Sequence, residues 1–216
     1  MGGFSEMHRG TEEQALLARG VRRIAGVDEA GRGPLAGPVV AAAVVFGDRA
    51  PAGINDSKKL TARRREKLHD EILFGADVGI AIVSPATIDR LNILRASLEA
   101  MRMAVAALAA PPEHILVDGR DCPECPHDMT ALIGGDARSL SIAAASIIAK
   151  VTRDRIMEAL CPRYPDYGFS RHKGYPTAAH RQTLATRGVL DHHRRSFGPV
   201  RACLGEAAAK DTEYLR

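Results

Sequence analysis

The chain has 216 residues, and its 30 Lys and Arg exceed its 26 Asp and Glu to give a net charge of +4. Its 45% hydrophobic and 26% charged residues are typical of a folded globular protein, which excludes disordered and fibrous classes. The longest apolar run, Val39–Phe46, is far shorter than the roughly 20 residues of a transmembrane helix, so we expect a cytoplasmic protein that does not enter a membrane.

The first half of the chain alternates strand patterns with helix patterns. Residues 1–22 are polar, and we expect them to form a flexible leader that frays or is partly helical. Three strands are predicted from apolar segments at Arg23–Asp28, Val39–Phe46 and Val78–Val83. Two helices are predicted from apolar spacing, at Thr61–Phe74 with Thr61 as N-cap, and at Pro85–Ala109 as one long amphipathic helix.

The second half contains two shorter strands and three helices. The strands are predicted at His114–Val117 and, weakly, at Leu132-Ile133. The helices are predicted at Leu140–Leu160, near Thr177–Arg187 and from about Pro199 to Lys210. Strands that alternate with helices indicate an α/β fold, and the short link between the first two strands indicates a mixed sheet.

Positive charge is concentrated toward the C-terminus. Residues 163–201 carry eight Lys and Arg against two Asp, a net charge of +6, so the rest of the chain sums to −2. A second basic cluster lies near the start of the first predicted helix, at Lys58, Lys59, Arg63, Arg64, Arg65 and Lys67. Such segregation is expected of a protein that binds a polyanion, although the solvated face of a helix explains residues 63–67 about as well.

Four acidic residues lie where strands end or a helix is about to begin. Asp28 and Glu29 close the first strand, Asp118 closes the fourth, and Asp136 follows Gly134-Gly135. Because α/β sheets place their sites beyond strand ends, these carboxylates can converge, although each alone could be a solvated turn residue. Adjacent residues of a regular strand point to opposite faces, so we expect the first strand to end or bulge at Asp28-Glu29.

A carboxylate cluster indicates a hard divalent cation. Carboxylates about 4 Å apart repel each other by roughly 4 kcal/mol per pair at an effective dielectric constant near 20, so the cluster must bind protons or a cation. Oxygen ligands without His or Cys favour Mg2+ or Mn2+ over zinc. Two such ions about 4 Å apart could support in-line hydrolysis of a phosphodiester that the basic segments would hold.

The glycines around Asp28 have a rival interpretation as a nucleotide-binding loop. Residues 26–33 have the glycine spacing of a P-loop. However, Arg32 replaces its lysine, Gly33 replaces its Ser or Thr, and two acids inside the loop would repel nucleotide phosphates. Nucleotide binding is therefore disfavoured.

The four cysteines give a weak metal signature. Cys122 and Cys125 form a Cys-x2-Cys pair in a Pro-containing loop, whereas Cys161 and Cys203 are isolated. A structural zinc site needs four ligands, and one pair with a nearby histidine does not supply them. We therefore favour free thiols in a surface loop of a reducing compartment over zinc or redox chemistry.

Seven ordered motifs between about residues 23 and 201 resemble type 2 ribonucleases H, and within them the bacterial ribonuclease HII branch. The longest are DEAGRGPLAGPV at 28–39 and SIAAASIIAKVTRD at 141–154. The shorter ones are DSKKL at 56–60, VDG at 117–119, GD at 135–136, HKGY at 172–175 and RSFGPV at 195–200. The ribonuclease HIII branch carries an extra N-terminal substrate-binding domain, for which the residues before Asp28 are too few, so HII is favoured.

The resemblance implies an α/β ribonuclease H-like fold, with a mixed five-stranded sheet flanked by helices at 23–160 and a basic helical extension at 161–216 that helps to bind substrate. It implies an endoribonuclease that cleaves the RNA strand of RNA–DNA hybrids and incises 5′ of single ribonucleotides in duplex DNA, leaving 3′-hydroxyl and 5′-phosphate ends. It further implies two Mn2+ or Mg2+ ions in the active complex. The alternative is a catalytically silent hybrid-binding module, which would gain nothing from acids that face phosphate. A monomer is expected.

The resemblance also implies roles for individual residues. The metal-binding catalytic carboxylates would be Asp28, Glu29, Asp118 and Asp136. The backbone of Gly31, Arg32 and Gly33 would contact the 2′-hydroxyl at the RNA-to-DNA junction, since only that hydroxyl distinguishes RNA from DNA at one nucleotide. Tyr175 would stack on the following deoxyribose.

Other charged residues in these motifs are candidates for supporting roles. Phosphate contacts are expected from Lys58, Lys59, His172 and Lys173. Each of these could equally be a surface charge, and Arg194 and Arg195 could line the same groove or lie at its rim. Asp154 is roughly 20 Å along a straight helix from the end near Asp136, at about 1.5 Å per residue, which disfavours a shared ligand role. We expect Asp154 to pair with Lys150 on the same helical face or with a neighbouring basic residue, and to be structural or to support the site indirectly.

Overall fold

Five strands form one mixed sheet in the computed structural model, which describes residues 10–47 and 49–213 and side chains as far as residue 205. The strands are β1 (Ile24–Ala30), β2 (Val39–Phe46), β3 (Ala76–Val83), β4 (His114–Asp118) and β5 (Asp128–Leu132). Their spatial order is β3-β2-β1-β4-β5. β1 is antiparallel to β2 and parallel to β4, and β4 is parallel to β5, which confirms the predicted mixed sheet.

Eight α-helices are present in the described residues. They are α1 (Thr11–Ala18), α2 (Ala62–Gly75), α3 (Pro85–Leu91), α4 (Ile93–Ala106), α5 (Leu140–Ala159), α6 (Phe169–His172), α7 (Ala178–Arg187) and α8 (Gly198–Glu213). The side chain of Thr61 accepts a hydrogen bond from the backbone N–H of Arg64, so the predicted N-cap of α2 is confirmed. None of the described helices is both long enough and apolar enough to cross a membrane.

The prediction of a single helix at Pro85–Ala109 is wrong, because this segment forms two helices, α3 and α4. Asn92, between the two helices, has φ 70°, which a continuous right-handed helix does not allow. Its side chain then accepts a hydrogen bond of 3.1 Å from the N–H of Arg95 and caps α4. The apolar periodicity continues across the break and therefore conceals it. The fifth strand also lies earlier than predicted, at Asp128–Leu132.

Part of the predicted flexible leader is a packed helix. Leu16 of α1 is buried in one cluster with residues of three strands and α5, namely Ile24, Leu116, Leu132 and Ile142. Glu13 Oε1 accepts hydrogen bonds from the Ser139 hydroxyl (2.6 Å) and from the Ser141 N–H (2.9 Å) and hydroxyl (2.7 Å). These contacts order α1, whereas residues 1–9 of the predicted leader lie outside the described residues.

The chain divides into two compact units that do not follow the predicted boundary at residue 160. Unit 1 contains residues to Ala30, Val40–Ile82 and Ser97–Thr152, and it holds nearly all of the sheet. Unit 2 contains Gly31–Val39, Val83–Ala96 and the residues from Arg153 onward. The early loop belongs to unit 2 because Leu35 packs in one apolar cluster with Leu184 and Val200.

Close packing of α5 against β1 supports the candidate site in unit 1. A side chain at Gly26 in β1 would overlap the backbone of Ser141 and Ile142, so only glycine allows this approach. The helix is Ala-rich on its buried surface, where the side chains from Ile142 to Ala145 are fully buried. This approach brings α5 alongside the strand that carries Asp28 and Glu29.

Candidate active site

Three of the predicted carboxylates lie at neighbouring positions of one sheet edge in unit 1. β1 and β4 are parallel with Val27 paired to Val117, so Asp28 and Asp118 are the next residues on adjacent strands. Asp136 follows β5 in the short 3-10 turn Gly135–Ala137. Asp118 Oδ1 accepts a hydrogen bond of 2.7 Å from the N–H of Gly135, which ties the end of β4 to that turn.

The prediction that β1 ends or bulges at Asp28-Glu29 is wrong. β1 stays in unbroken antiparallel register with β2 as far as Ala30, which pairs with Val40. Only the pairing with β4 stops at Val27, because β4 itself ends one residue after that register position. Asp28 is 6% exposed, and its Oδ1 accepts a 2.7 Å hydrogen bond from the backbone N–H of Glu29. The charge of Glu29 also raises the pKa of Asp28, so the two carboxylates interact although the strand has no bulge there.

Burial and mutual repulsion act on this cluster. Burial raises the pKa of Asp28 well above its usual value, and the charges of Glu29 and Asp118 raise it further. A hydrogen bond from Ser146 on α5 lowers the pKa of Asp28, but it does not offset the other effects. A cation bound among these carboxylates would therefore relieve the repulsion between their negative charges.

Asp56 belongs to the same cluster and was not predicted as a site residue. Burial raises the pKa of Asp136, and the charges of Asp56 and Asp118 and a hydrogen bond to Asp56 raise it further, against an opposing effect of Lys58. Asp56 lies in the DSKKL segment, of which only the two lysines were predicted as site residues. Its proximity to Asp136 depends on a loop between β2 and α2, for which no periodic pattern exists.

Lys58 is the cation of this cluster. Burial lowers the pKa of its ammonium, but the charges of Asp136, Asp56, Asp28 and Asp118 outweigh that effect and raise it. Asp56 Oδ1 accepts a 2.9 Å hydrogen bond from the Lys58 N–H, and the neighbouring Ser57 hydroxyl lies 2.8 Å from that of Ser146. The predicted site residue Lys58 is therefore within the electrostatic influence of the carboxylates, and both Lys58 and Lys59 are exposed.

The donor chemistry of the cluster fits a hard divalent cation, although the side chains are not preset around one. Among the side chains that the structure describes, in residues 10–47 and 49–205, no three His, Cys, Asp or Glu are arranged so that they could hold a metal ion. Asp28, Glu29, Asp118 and Asp136 offer carboxylate oxygens alone, which Mg2+ and Mn2+ prefer. Their repulsion in a partly buried position is the unfavourable energy that a cation would remove.

The second predicted group, the loop 31–33 and Tyr175, comes together within unit 2. Gly31 is buried with φ +103°, and a side chain there would overlap the Arg153 side chain. Arg32 and Gly33 are exposed, and a Cβ at Gly33 would lie 3.7 Å from Tyr175 Cε1. Tyr175 is 43% exposed, and the Arg153 guanidinium lies 5.9 Å from the centre of its ring.

Arg194 neither lines a groove nor lies at its rim, because it is fully buried in unit 2. Its guanidinium donates hydrogen bonds to carbonyl oxygens of the 31–38 loop, including those of Gly31 (2.6 Å) and Arg32 (3.0 Å). Arg195 instead is exposed, and its guanidinium lies 3.2 Å from the Asp191 carboxylate. One arginine of the pair is thus structural and the other is a surface charge.

His172 and Lys173 have internal partners that disfavour the predicted phosphate contacts. The Gly174 N–H donates to His172 Nδ1 at 3.1 Å, and His172 Nε2 donates to the Tyr167 carbonyl at 2.6 Å. Burial lowers the pKa of His172, which favours the neutral ring. Lys173 Nζ donates to Glu158 Oε1 (2.5 Å) and to the Ser170 carbonyl (2.6 Å), with its side chain 15% exposed.

Asp154 and Lys150 lie four residues apart on α5, as predicted. Burial lowers the pKa of Arg153, and the charges of Tyr175 and Asp154 raise it, which places Asp154 near that guanidinium within unit 2. Pairing of Asp154 with Lys150 stays a prediction.

The four cysteines, all within the described residues, form no disulfide bond in the structure. Cys122 and Cys125 are half-buried, and burial raises the pKa of both thiols. Cys125 Sγ lies 3.6 Å from Met129 Sδ, a contact that contributes to local packing.

The family model of Ribonuclease HII matches residues 25–200, a range that contains both predicted groups of site residues. The chain belongs to the ribonuclease HII family. As a member of this family it is a nuclease, a hydrolase with ribonuclease H endonuclease activity.

Relatives of the ribonuclease HII family match along most of their length. Ribonuclease HII of Bradyrhizobium diazoefficiens is 58% identical over 205 residues, which cover 94% of this chain and 78% of the relative. The crystal structure of ribonuclease H2 from Pyrococcus horikoshii OT3 has a TM-score of 0.72 and 30% identity, and the match covers 84% of this chain and 96% of that one. The structure of Bst-RNase HIII in complex with Mn2+ shares the fold, with a TM-score of 0.70, 21% identity and coverage of 87% and 70%.

Proposed function

We propose that this ribonuclease HII family member cleaves the RNA strand of RNA–DNA hybrids and incises 5′ of single ribonucleotides in duplex DNA, by hydrolysis that leaves 3′-hydroxyl and 5′-phosphate ends. The observation that carries the proposal is the interacting carboxylate group at the ends of β1 and β4 and beyond β5. Asp28, Glu29, Asp118 and Asp136 supply it, and burial and repulsion raise the pKa of Asp28 and Asp136. Perturbed pKa values of this kind cluster at functional sites.

Two divalent cations, Mn2+ or Mg2+, would be held by these four carboxylates. When bound, the ions would activate a water for attack on phosphorus and stabilise the leaving oxygen. Ser146 donates a hydrogen bond to Asp28 and so orients one ligand, and the Gly135 N–H orients Asp118. Each carboxylate can accept about four hydrogen bonds or metal contacts, so these hydrogen bonds leave capacity for ligation of a cation.

Lys58 has two uses in the proposed site. Its ammonium partly neutralises the surrounding carboxylates, and its exposed position allows it to bind a substrate phosphate once cations compensate those charges. Lys59, next to it and exposed, is proposed as a further phosphate contact. His172 and Lys173 are not proposed, because their polar atoms are engaged within unit 2.

Recognition of the ribonucleotide is proposed for the backbone of Gly31, Arg32 and Gly33 together with Tyr175. The 2′-hydroxyl is the only group that marks one ribonucleotide in DNA, and backbone amides are suitable donors to it. The exposed face of Tyr175 beside Gly33 offers a surface for the adjacent deoxyribose. Exposed basic residues of the extension, such as Arg171, Arg181 and Arg201, would contact the phosphate backbone. The enzyme is proposed to act as a monomer in the cytoplasm.

The test uses a labelled DNA duplex with one ribonucleotide, an otherwise identical all-DNA duplex, and Mn2+ or Mg2+. We expect a single nick on the 5′ side of the ribonucleotide, with 3′-hydroxyl and 5′-phosphate ends, which is lost when the cation is chelated. Asp136→Asn is the inactive control. A nick on the 3′ side, or the absence of any cation-dependent nick, contradicts the proposal.

A further inference from the structure

Two buried arginines hold the loop from Gly31 to Pro38 by its carbonyl groups. Arg194 donates four hydrogen bonds of 2.6–3.1 Å, to the carbonyl oxygens of Gly31, Arg32, Gly37 and Pro38. Arg153 donates two of 3.0 Å, to those of Ala36 and Pro38. All of these residues lie in unit 2. Five carbonyl groups of one short loop therefore face the two guanidinium groups.

The hydrogen bonds of Arg194 fix the direction of two peptide groups. In a trans peptide the C=O and the N–H point in opposite directions. Because the carbonyls of Gly31 and Arg32 point at Arg194, the N–H groups of Arg32 and Gly33 point away from it, on the exposed part of the loop. A positive charge at the carbonyl also polarises the peptide and strengthens its N–H as a donor.

This arrangement is costly as a purely structural device. Arg194 is fully buried and Arg153 is 1% exposed. Burial and the charge of Arg153 lower the pKa of Arg194 to about 9. Carbonyl oxygens satisfy the guanidinium donors but carry no formal charge, and the charge of Asp89 raises the pKa of Arg194 without offsetting the effect of burial. Neutral donors could close the same loop at lower cost, so the charge itself requires an explanation.

Asp89 in α3 fixes the chain directly after Arg194. Its carboxylate accepts hydrogen bonds from the N–H of Arg195 (2.9 Å) and from the N–H (2.8 Å) and hydroxyl (2.5 Å) of Ser196. Since both residues follow Arg194 in the chain, Asp89 limits the movement of the Arg194 backbone. The position of the guanidinium is therefore set independently of the loop that it holds.

We infer that Arg194 is a positioning residue for ribonucleotide recognition, which orients the peptide groups of Gly31, Arg32 and Gly33 so that the amides present their N–H donors to a ribose 2′-hydroxyl. The inference rests on the proposed function, in which this loop contacts that hydroxyl. Arg194 itself does not touch the substrate. It acts through the loop backbone, and a lysine in its place supplies the charge without the planar set of donors.

The test is a comparison of binding to the ribonucleotide-containing duplex and to the all-DNA duplex. It is carried out with Mn2+ in an Asp136→Asn background, so that neither duplex is cleaved. Arg194→Lys is expected to lower the ratio of the two affinities about tenfold, which corresponds to the loss of a hydrogen bond. Binding of the all-DNA duplex is expected to stay within about twofold, because the net charge is kept.

Arg195→Lys is the matched control, since it makes the same substitution at the exposed neighbour and should leave the ratio unchanged. The ratio is insensitive to a loss of folded protein, because both duplexes are measured with one preparation. A merely structural role for Arg194 would weaken both duplexes equally. An unchanged ratio in folded Arg194→Lys, or an equal fall in Arg195→Lys, overturns the inference.

If Arg194→Lys does not fold, Asp89→Asn carries the test. It is expected to lower the ratio by a smaller factor, about threefold, because it loosens the chain after Arg194 but keeps the guanidinium group and its donors. An unchanged ratio in that folded variant then contradicts the inference. A parent protein that binds both duplexes equally contradicts the proposed function and the inference together, whereas a parent that discriminates isolates the role of Arg194.

Discussion

Gly31 has a backbone conformation that L-residues rarely adopt. Its φ is +103°, and a Cβ there would overlap the buried Arg153 side chain. We predict that Gly31→Ala lowers the free energy of unfolding by at least about 2 kcal/mol, because the strain adds to the overlap. Denaturant unfolding followed by circular dichroism measures this change.

Gly33→Ala is the control for that prediction. The nearest atom to a Cβ at Gly33 is Tyr175 Cε1 at 3.7 Å, an ordinary contact, and the residue is exposed. We expect its free energy of unfolding to change by less than about 1 kcal/mol. Equal losses in the two variants would show that the loop does not depend on the special conformation of Gly31.

At single positions, the sequence identifies residues whose chemistry is unusual for their place and misses those whose role depends on packing. Acidic residues at strand ends stand out, so Asp28, Asp118 and Asp136 could be selected. Asp56 and Arg194 could not, because a loop aspartate and one arginine of a pair resemble ordinary surface residues until their neighbours are known. For Arg194, the apolar residues near it give no periodic signal that it is buried.

Helix α1 depends on Glu13, whose Oε1 accepts three hydrogen bonds from Ser139 and Ser141. We predict that Glu13→Ala lowers the free energy of unfolding by about 2 kcal/mol, since buried donors lose their acceptor. Thermal or urea unfolding measures this effect. Glu12→Ala, which breaks a partly exposed ion pair with Arg138, should cost less than about 1 kcal/mol. A larger loss for Glu12→Ala than for Glu13→Ala would contradict the prediction, because it would show that α1 is attached mainly through Glu12.

Elements with strong local signals could be predicted almost to the residue, and those set by tertiary contacts could not. β2 was predicted with its observed ends, Val39–Phe46, because every residue in it is apolar and the flanks are Pro and Gly. The break at Asn92 needs a positive φ that apolar spacing does not reveal. β1 continues through Glu29 because β2 pairs with it beyond the end of β4, a long-range effect.

At the scale of the whole molecule, the net charge of +6 in residues 163–201 overstates the positive charge that is available to bind a polyanion. Arg194 is buried. Lys173, Arg187 and Arg195 form ion pairs with Glu158, Asp166 and Asp191, respectively. The charge count could be obtained from the sequence, but the division of these residues between structural and solvent-facing roles required the fold.

Buried histidines in unit 2 predict a loss of stability in acid. Burial lowers the pKa of His193 to about 4, with a further contribution from the charge of His180. Its Nδ1 accepts from the Leu190 N–H (3.0 Å) and its Nε2 lies 3.1 Å from His180 Nε2, an arrangement that suits neutral rings. Because the unfolded chain binds the proton more readily, this stabilisation is complete above about pH 6.5 and is lost as the pH falls toward 4.

We therefore predict that the difference in unfolding free energy between the wild type and His193→Gln shrinks by up to about 3 kcal/mol from pH 7 to pH 4. The raised pKa values of Asp28 and Asp136 act in the opposite direction, but both proteins share them and they cancel in this difference. His127→Gln, outside the cluster, should show no such trend. A difference that does not depend on pH would contradict the prediction.

The central claim is that the four carboxylates of unit 1 form the cleavage site. The most direct measurement is the single-turnover rate of nicking at one ribonucleotide in duplex DNA, with saturating Mn2+, for the variants Asp28→Asn, Glu29→Gln, Asp118→Asn and Asp136→Asn. Each is predicted to lose at least about 100-fold in rate. Asp121→Asn, an exposed acid three residues after Asp118, should retain the wild-type rate. Wild-type nicking by any of the four, or an equal loss in Asp121→Asn, would contradict the account.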